Sequence, residues 1–249
     1  MDLGIAGRRA AVAAGSAGLG LATAQALVQE GAQVAICGRD PERLSAALAI
    51  LGPSAVGIEA DMSTSQGAQD FANAAAEALG GHIQILVANA GGPPPGLATA
   101  TSVEQYRLAL ELNCLSTIAL VLETAAAMRA ERWGRILAIT SIGARQPIPF
   151  LAASTAARAA TTAFMKNLAT EVAVDGVTAN TIQPGAHKTA RNADLSTEQL
   201  QEMLQSIPAA RLGSAADFGS VAAFLCSEQA SFVCGASIIV DGGASRGLQ

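Results

Sequence analysis

The sequence is poor in aromatic, charged and metal-binding residues. Of its 249 residues only 3% are aromatic and 14% are charged, and the chain holds two histidines and four cysteines. The cysteines are scattered, with no CxxC pair and no clustered histidines. This pattern argues against a zinc site and favours free thiols, so we expect a cytoplasmic protein.

A basic surface is also missing. The formal net charge is -5, and no stripe of lysine and arginine stands out. This argues against nucleic acid as the main partner. No uninterrupted run of about 18 apolar residues predicts a membrane span, and the first residues do not have the pattern of a signal segment. We therefore expect neither nucleic acid nor a membrane among the partners.

Apolar residues, in contrast, are abundant at 51%, many of them alanine. Runs of strand length alternate with segments of helical period, which predicts βαβ units and a parallel sheet covered on both faces. We expect one α/β Rossmann-fold domain over residues 1–249, with a doubly wound seven-stranded parallel sheet. The predicted strands lie near Arg9–Ala13, Gln33–Cys37, Ala55–Ala60, Ile83–Ala88, Arg135–Ser141, Val177–Gln183 and Ser237–Val240, and the helices near 18–30, 41–51, 64–79, 102–130, 150–174 and 215–227.

One long connection breaks this alternation, between Gly185 and Ser214. Within it, the sequence from Ser196 has the pattern of a helix start, and Pro208 predicts the helix end. A connection of this length often covers a binding site, so we predict a substrate lid at about 186–213. An ordinary surface excursion is the alternative. The short helix would present an apolar face made of Leu200, Met203, Leu204 and Ile207.

A glycine-rich turn follows the first predicted strand and leads directly into the first helix. Glycine lets the backbone approach a pyrophosphate, and a helix N-terminus offers unpaired N–H groups and the positive end of its dipole. The context of strand, turn and helix makes a dinucleotide site the favoured interpretation, with a tight turn that binds nothing as the alternative. The predicted phosphate-binding residues are Gly15, Ser16, Ala17, Gly18, Leu19 and Gly20.

This turn and several later motifs resemble those of the short-chain dehydrogenase/reductase family, and the likeness extends almost from end to end. The family's TGxxxGxG maps onto Ala13–Gly20, with alanine in the first two positions, and its NNAG maps onto Ala88–Gly91. Its PG-x-x-x-T and VDGG stretches map onto Pro184–Thr189 and Val240–Gly243. The resemblance implies further cofactor-binding residues: Asp61, Met62, Asn89, Ala90, Gly91, Arg158, Pro184, Gly185 and Thr189.

The end of the second strand bears on which nicotinamide cofactor is used. The position of the family's ribose-binding acid falls on Gly38, and Arg39 follows it. Asp40 precedes Pro41, which is the pattern of a helix N-cap, so we interpret Asp40 as a cap rather than a ribose ligand. An arginine suits the 2′-phosphate, so we predict NADP(H) over NAD(H). A solvated surface charge is the alternative for Arg39.

The resemblance also implies where the family's catalytic residues fall. Asn113 and Ser141 match its asparagine and serine, but Ser154 stands at the tyrosine position and Arg158 at the lysine position. Arginine keeps its charge and cannot relay a proton, although it can stabilise a developing oxyanion. A serine hydroxyl is a weaker acid than a phenol, so the usual proton donor is missing.

No other side chain restores the missing acid. The single tyrosine, Tyr106, falls where the family has a core aromatic. Lys166 lies two turns beyond Arg158, about 12 Å along the helix axis, and cannot replace it. His187 is the one group close to the expected nicotinamide that titrates near neutrality, although a solvated position on the lid is the favoured interpretation.

The Ser-to-Arg arrangement and the segment Gly91–Gly96 are similar to a 3-oxoacyl-[acyl-carrier-protein] reductase-like subgroup with an altered catalytic tetrad. The resemblance implies an NADP(H)-dependent oxidoreductase that acts on a small-molecule carbonyl substrate. The alternative is a nucleotide-binding pseudoenzyme or a non-redox scaffold subunit. The helices at 102–130 and 150–174 are apolar on more than one face, which predicts a homo-oligomer, and the resemblance implies a homotetramer.

Overall fold

A computed structural model describes residues 2–190 and 195–247. Residues 191–194, which belong to the predicted lid, lie outside the described residues, as do Met1 and residues 248–249 at the ends of the predicted domain.

Seven parallel strands form one sheet in the order β3-β2-β1-β4-β5-β6-β7. This confirms the predicted doubly wound sheet, with β1 inside it and the change of winding direction between β1 and β4. The strands are β1 (Arg9–Val12), β2 (Gln33–Gly38), β3 (Ala55–Glu59), β4 (Ile85–Ala88), β5 (Gly134–Ile139), β6 (Val177–Pro184) and β7 (Ser237–Val240).

Most of the predicted helices are present with similar bounds, and two predicted caps are confirmed. The Asp40 carboxylate accepts a hydrogen bond from the Arg43 N–H at 3.0 Å, and Ser196 and Gln199 form a capping box. Both satisfy N–H groups that the first helical turn leaves unpaired. The helices are α1 (Gly18–Gln29), α2 (Pro41–Leu51), α3 (Ser65–Ala78), α4 (Val103–Leu110), α5 (Ser116–Glu131), α6 (Ala152–Val172), α7 (Thr197–Gln205) and α8 (Ala215–Leu225).

The helix predicted at 102–130 is interrupted by a π-helical turn, Glu111–Leu115, between α4 and α5. Such turns are frequent at functional sites. The combined 29-residue helix is long and apolar enough to cross a membrane, judged by length and composition alone. Half of its most apolar window is buried inside the fold, which is typical of the core helix of a globular domain.

The apolar core has two layers, one on each face of the sheet. One layer lies under α3, α5 and α6, and the other under α1, α2 and α8. In the second layer α1 and α8 approach so closely that a Cβ on Gly219 would overlap the carbonyl oxygen of Ala22. The last helix of the chain therefore covers the first.

A buried arginine lies at the amino end of the sheet, away from the glycine turn. Arg135 is 2% exposed, and its guanidinium donates to the carbonyl oxygens of Ser227 and Gly176 at 2.8 and 3.4 Å. It also pairs with the Glu228 carboxylate at 3.4 Å and lies over the Trp133 ring. This network attaches β5 to the segment that follows α8.

The turn between β1 and α1 contains a strained backbone position. Ala14 has φ +46°, in the left-handed region that costs a residue with a Cβ roughly 1–2 kcal/mol. Its N–H donates to the Cys37 sulfur at 3.2 Å, and its carbonyl oxygen accepts from the Asn89 side chain at 3.3 Å. These contacts hold Ala14 in a conformation that glycine adopts at lower cost.

We expect Ala14→Gly to raise the free energy of unfolding by roughly 0.5–1 kcal/mol, because relief of strain outweighs the added freedom of the unfolded chain. Urea denaturation measures the change. The control is Ala13→Gly, one residue earlier and fully buried, which should lower stability by about 1 kcal/mol. A loss of stability in Ala14→Gly equal to that of the control would contradict this interpretation.

Candidate active site

The glycine turn is shaped for close approach of another molecule. A Cβ on Gly20 would lie 2.5 Å from the Ala14 carbonyl oxygen and 2.8 Å from the Asn89 Nδ2 atom, so only glycine fits. Gly18 has φ +57° and begins α1, which places the N–H groups of the first helical turn next to the glycine turn. A backbone cradle facing a helix N-terminus fits a pyrophosphate.

Other predicted cofactor residues surround this turn. Thr189 lies beside Gly18, since a Cβ added to Gly18 would contact the Thr189 methyl group at 3.8 Å. The first residues of the predicted lid therefore reach the phosphate-binding turn. Four other predicted cofactor residues are partly or fully exposed, namely Ala17, Leu19, Ala90 and Gly91, whereas Met62 is buried.

The end of β2 has no room for an acidic side chain at Gly38. A Cβ on Gly38 would lie 2.6 Å from the Ser16 Oγ atom, so Ser16 occupies the space of that side chain. Arg39 is 72% exposed, and its Nε atom lies 3.7 Å from the Asp61 carboxylate. A hydroxyl and a guanidinium, without a carboxylate on this strand end, suit an anionic group.

Asp61 is held in its ionised form. Partial burial opposes ionisation, but hydrogen bonds from Ser63 and the charge of Arg39 hold the pKa of the Asp61 carboxyl below its ordinary value. The Ser63 N–H donates to Asp61 Oδ1 at 2.9 Å. The site therefore presents one positive and one negative side chain next to each other.

Asn113 lies in the π-helical turn and joins three segments. Its side-chain Nδ2 atom donates to the Gly91 carbonyl oxygen at 3.1 Å. Its main-chain carbonyl oxygen accepts from the Thr117 and Thr161 hydroxyls at 2.9 and 3.0 Å. Among the described residues its Oδ1 atom has no hydrogen-bond partner. The asparagine thus fixes the segment after β4 against α6 and leaves one buried acceptor available.

Ser141 and Ser154 both present hydroxyl groups at the carboxyl edge of the sheet. Ser141 follows β5, and its Oγ atom accepts from the Gly143 N–H at 3.0 Å. Ser154 is buried in the first turn of α6, and its Oγ atom accepts from the Arg158 Nε atom at 3.3 Å. In each serine the known bond uses an oxygen lone pair, so the O–H group can still donate.

Arg158 is buried, and its Nη1 atom donates to the carbonyl oxygens of Ile139 and Thr140 at 3.0 and 2.8 Å. The guanidinium therefore joins the end of β5 to the first turn of α6, where it also binds the hydroxyl of Ser154. Its fixed positive charge stabilises negative charge nearby. The predicted juxtaposition of Ser154 and Arg158 is present.

The expected position of His187 is wrong. Instead of being solvated, the imidazole is 4% exposed, packs edge-on against Phe218 with ring centroids 5.3 Å apart, and bonds through Nδ1 to the Gly185 carbonyl oxygen at 3.1 Å. Gly213 lies against the ring so closely that a Cβ there would overlap it. His187 anchors both ends of the predicted lid to the core.

The structure also gives the positions of Gly185, Lys166 and Tyr106. Gly185 packs against Asp241, which connects the PG and VDGG motifs. Lys166 donates to the Gly235 carbonyl oxygen at 3.1 Å and does not replace Arg158. Tyr106 packs on Ala153 and Ala157, and its hydroxyl donates to the Ala98 carbonyl oxygen at 3.1 Å.

The Cys37 thiol, which accepts from Ala14 in the glycine turn, is unreactive. Burial raises the pKa of Cys37 to about 12, although the N–H of Ala14 partly opposes this. A protonated, buried thiol is a poor nucleophile. Among the described residues no group of three potential metal ligands occurs.

Sequence reasoning missed Gln183, the residue before Pro184. It is completely buried at the end of β6, although a glutamine is usually exposed. The available signal was a glutamine in a predicted buried strand, directly before the Pro184-Gly185 pair.

Comparison with known proteins agrees with this geometry. The family described as enoyl-(acyl carrier protein) reductase matches residues 13–245. Nodulation protein G from Rhizobium sp. (strain N33) is 32% identical over 239 residues, which cover 96% of this chain and 97% of the relative.

Solved structures are similar over the whole fold. The L-sorbose reductase of Gluconobacter frateurii, complexed with NADPH and L-sorbose, is 30% identical with a TM-score of 0.93, and all of both chains is covered. A 3-oxoacyl (acyl-carrier-protein) reductase of Agrobacterium tumefaciens with NADP bound is also 30% identical, with a TM-score of 0.92 over 97% of this chain and 96% of the other. With these matches and the site geometry, the chain belongs to the short-chain dehydrogenase/reductase family of oxidoreductases.

Proposed function

We propose that this protein is an NADP(H)-dependent reductase of a small-molecule carbonyl compound, in which Ser154 and Arg158 replace the usual tyrosine and lysine. The observation that carries the proposal is the bond from Arg158 Nε to Ser154 Oγ at the carboxyl edge of the sheet. The same guanidinium also donates to the carbonyl oxygens of Ile139 and Thr140, so a positive charge is held in a fixed position beside the Ser154 hydroxyl. The resemblance to reductases with bound NADPH and NADP supports the cofactor.

The proposed site assigns a different part of the cofactor to each group of residues. The turn from Gly15 to Gly20 would hold the pyrophosphate, Asp61 would bind the adenine, and Arg39 with Ser16 would bind the 2′-phosphate. Pro184, Gly185 and Thr189 would hold the nicotinamide end, with Thr189 also beside Gly18. When bound, the reduced cofactor supplies a hydride to the carbonyl carbon of the substrate.

The protein must then stabilise negative charge on the substrate oxygen and deliver a proton to it. Ser141 and Ser154 donate hydrogen bonds to that oxygen, and the charge of Arg158 acts behind Ser154. Because a serine hydroxyl is a weak acid, we propose that the proton that reaches the substrate oxygen comes from water or from the substrate itself. Arg158 positions Ser154 and does not exchange protons.

A pseudoenzyme is the second candidate, and the missing phenol is the observation that favours it. The two candidates differ in one measurement: the consumption of NADPH against β-ketoacyl thioesters, quinones, aldehydes and imines. Turnover of one of these classes supports the reductase. Tight NADPH binding without turnover of any of them supports the pseudoenzyme.

We further propose that the protein forms a homotetramer. A groove between α5 and α6 is lined mainly by apolar residues, among them Val121, Leu122, Ala125 and Phe164, together with the Arg129–Glu171 ion pair. Leu122 is 68% exposed, and Leu115, one heptad earlier, is exposed on the same helix face. Exposed apolar side chains bordered by charged ones favour an association surface.

The first prediction from the proposed function concerns Arg39. Arg39→Ala should weaken NADP(H) binding about tenfold, the effect of losing one charge-assisted hydrogen bond, and leave NAD(H) binding within about twofold. Fluorescence titration of both cofactors measures this. Arg43→Ala is the matched control, since Arg43 is an exposed arginine nearby that pairs with Asp40. Equal losses for the two cofactors would refute the assignment.

The second prediction concerns the missing acid. Ser154→Tyr combined with Arg158→Lys should raise turnover of simple ketones by about 10²-fold, because a positioned phenol is a better proton donor. The control is Ser154→Phe with Arg158→Lys, which differs only in the hydroxyl. Similar turnover in both double variants would show that the proton comes from elsewhere, and then His187→Ala is the next variant to test.

The third prediction concerns assembly. Leu122→Asp places a charge in the apolar groove and should lower the mass measured by light scattering from four subunits to fewer. Ile50→Asp is the control, because Ile50 is also exposed but lies on α2. A monomeric parent protein at micromolar concentration would contradict the tetramer.

A further inference from the structure

Two buried polar side chains lie next to each other just beneath the candidate active site. Gln183 is 0% exposed, and within residues 2–190 and 195–247 neither its Nε2 nor its Oε1 atom has a hydrogen-bond partner. Thr140 is 3% exposed, and its Oγ1 atom is also without a partner in those ranges. Buried polar groups of folded proteins are almost always paired, so these three atoms need a ligand.

The strand register brings the two side chains together. Ile139 of β5 pairs with Ile182 of β6, and the ladder continues because the Thr140 N–H donates to the Ile182 carbonyl oxygen at 2.9 Å. Thr140 and Gln183 are therefore neighbours on adjacent parallel strands, with side chains on the same face of the sheet.

That face is the one covered by α6. Ala138, two residues before Thr140 and thus on the same face, belongs to the core layer that contains Met165 of α6. Ser154 and Arg158 lie on the first turns of the same helix. The two side chains thus lie on the face between the strand ends and the helix that carries the candidate site.

Thr140 links this space to the site. Its carbonyl oxygen accepts from Arg158, and Ser141 is the next residue. Gln183 directly precedes Pro184. A group that fixes Thr140 against Gln183 would therefore fix the end of β5, and through it the guanidinium of Arg158.

We propose that Gln183 and Thr140 together bind one ordered water, and that Gln183 is a positioning residue for Arg158 and Ser141. An amide N–H donor, an amide oxygen and a hydroxyl provide the two to four polar partners that a buried water takes. The bridge locks the ends of β5 and β6, so that Arg158 stays bonded to Ser154. The effect on turnover rests on the proposed reductase function, whereas the water site does not.

The first experiment is a crystal structure of the cofactor-free parent protein at a resolution that shows ordered waters. We expect a water within roughly 3.2 Å of the Gln183 amide and of Thr140 Oγ1. In Gln183→Met, which keeps the length but removes the hydrogen bonds, the water should be absent and the Arg158 guanidinium displaced from the Thr140 carbonyl oxygen. Direct bonds from Gln183 to other protein groups in the parent, or an unmoved Arg158 in the variant, would overturn the proposal.

The second experiment measures kinetics on the best substrate of the NADPH panel. Gln183→Met should lower kcat about tenfold, while KM and cofactor affinity stay within about twofold, and Gln183→Asn should recover part of the loss. Thr178→Val is the matched control, because Thr178 is also buried and unpartnered but lies near the other end of β6. An unchanged kcat in Gln183→Met, or an equal loss in the control, would overturn the positioning role.

If the parent reduces no compound of the panel, the proposed reductase function fails, and the crystal structures still decide whether the water and the Arg158 position depend on Gln183. Should Gln183→Met not fold, Thr140→Val removes the other ligand of the same water and decides the same question.

Discussion

In a parallel sheet the carboxyl ends of all strands meet at one edge, and each crossing helix begins at that edge with unpaired N–H groups. The candidate site follows from this constraint. Four different strand ends supply the glycine turn, the Asn89 amide, Ser141 and the Pro184-Gly185 pair, yet all of these lie at one edge of the sheet. The bond from Asn89 to the Ala14 carbonyl and the bond from Asn113 to the Gly91 carbonyl then fix those ends against each other.

At the centre of the proposed site, a serine and an arginine would take the places of the family's tyrosine and lysine, which keeps the positive charge and removes the phenolic acid. A tyrosine–lysine pair can pass a proton along, whereas a guanidinium holds its charge at every ordinary pH. Arg158 uses that charge to bind two strand carbonyls and the Ser154 hydroxyl. Substituting an arginine for a lysine at such a site is therefore a change of chemistry, and it favours reactions that need a stabilised oxyanion more than a strong acid.

The sequence predicted those features that depend on neighbours along the chain. The Asp40 and Ser196 caps, the glycine turn and the last strand, Ser237–Val240, were predictable because the signal for each lies within a few residues. The apolar pattern at 102–130 predicted one continuous helix. No local sequence signal marks the π-helical turn that contains Asn113. His187 was placed on the surface because it follows a loop motif, but Phe218 and Gly213, which bury it, are more than 20 residues away. Burial of this kind depends on which distant segments meet.

Two contacts join early and late parts of the chain and so affect folding during synthesis on the ribosome. One joins Gly219 to Ala22, and the other joins Arg135 to the carbonyls of Gly176 and Ser227. The first helix emerges early, but the helix that covers it is made about 200 residues later. Until then the apolar face of α1 and the charge of Arg135 lack their native partners, and an unpaired buried charge is costly. The apolar layer beneath α1 and the contacts of Arg135 therefore stay incomplete until the segment around Ser227 has left the ribosome.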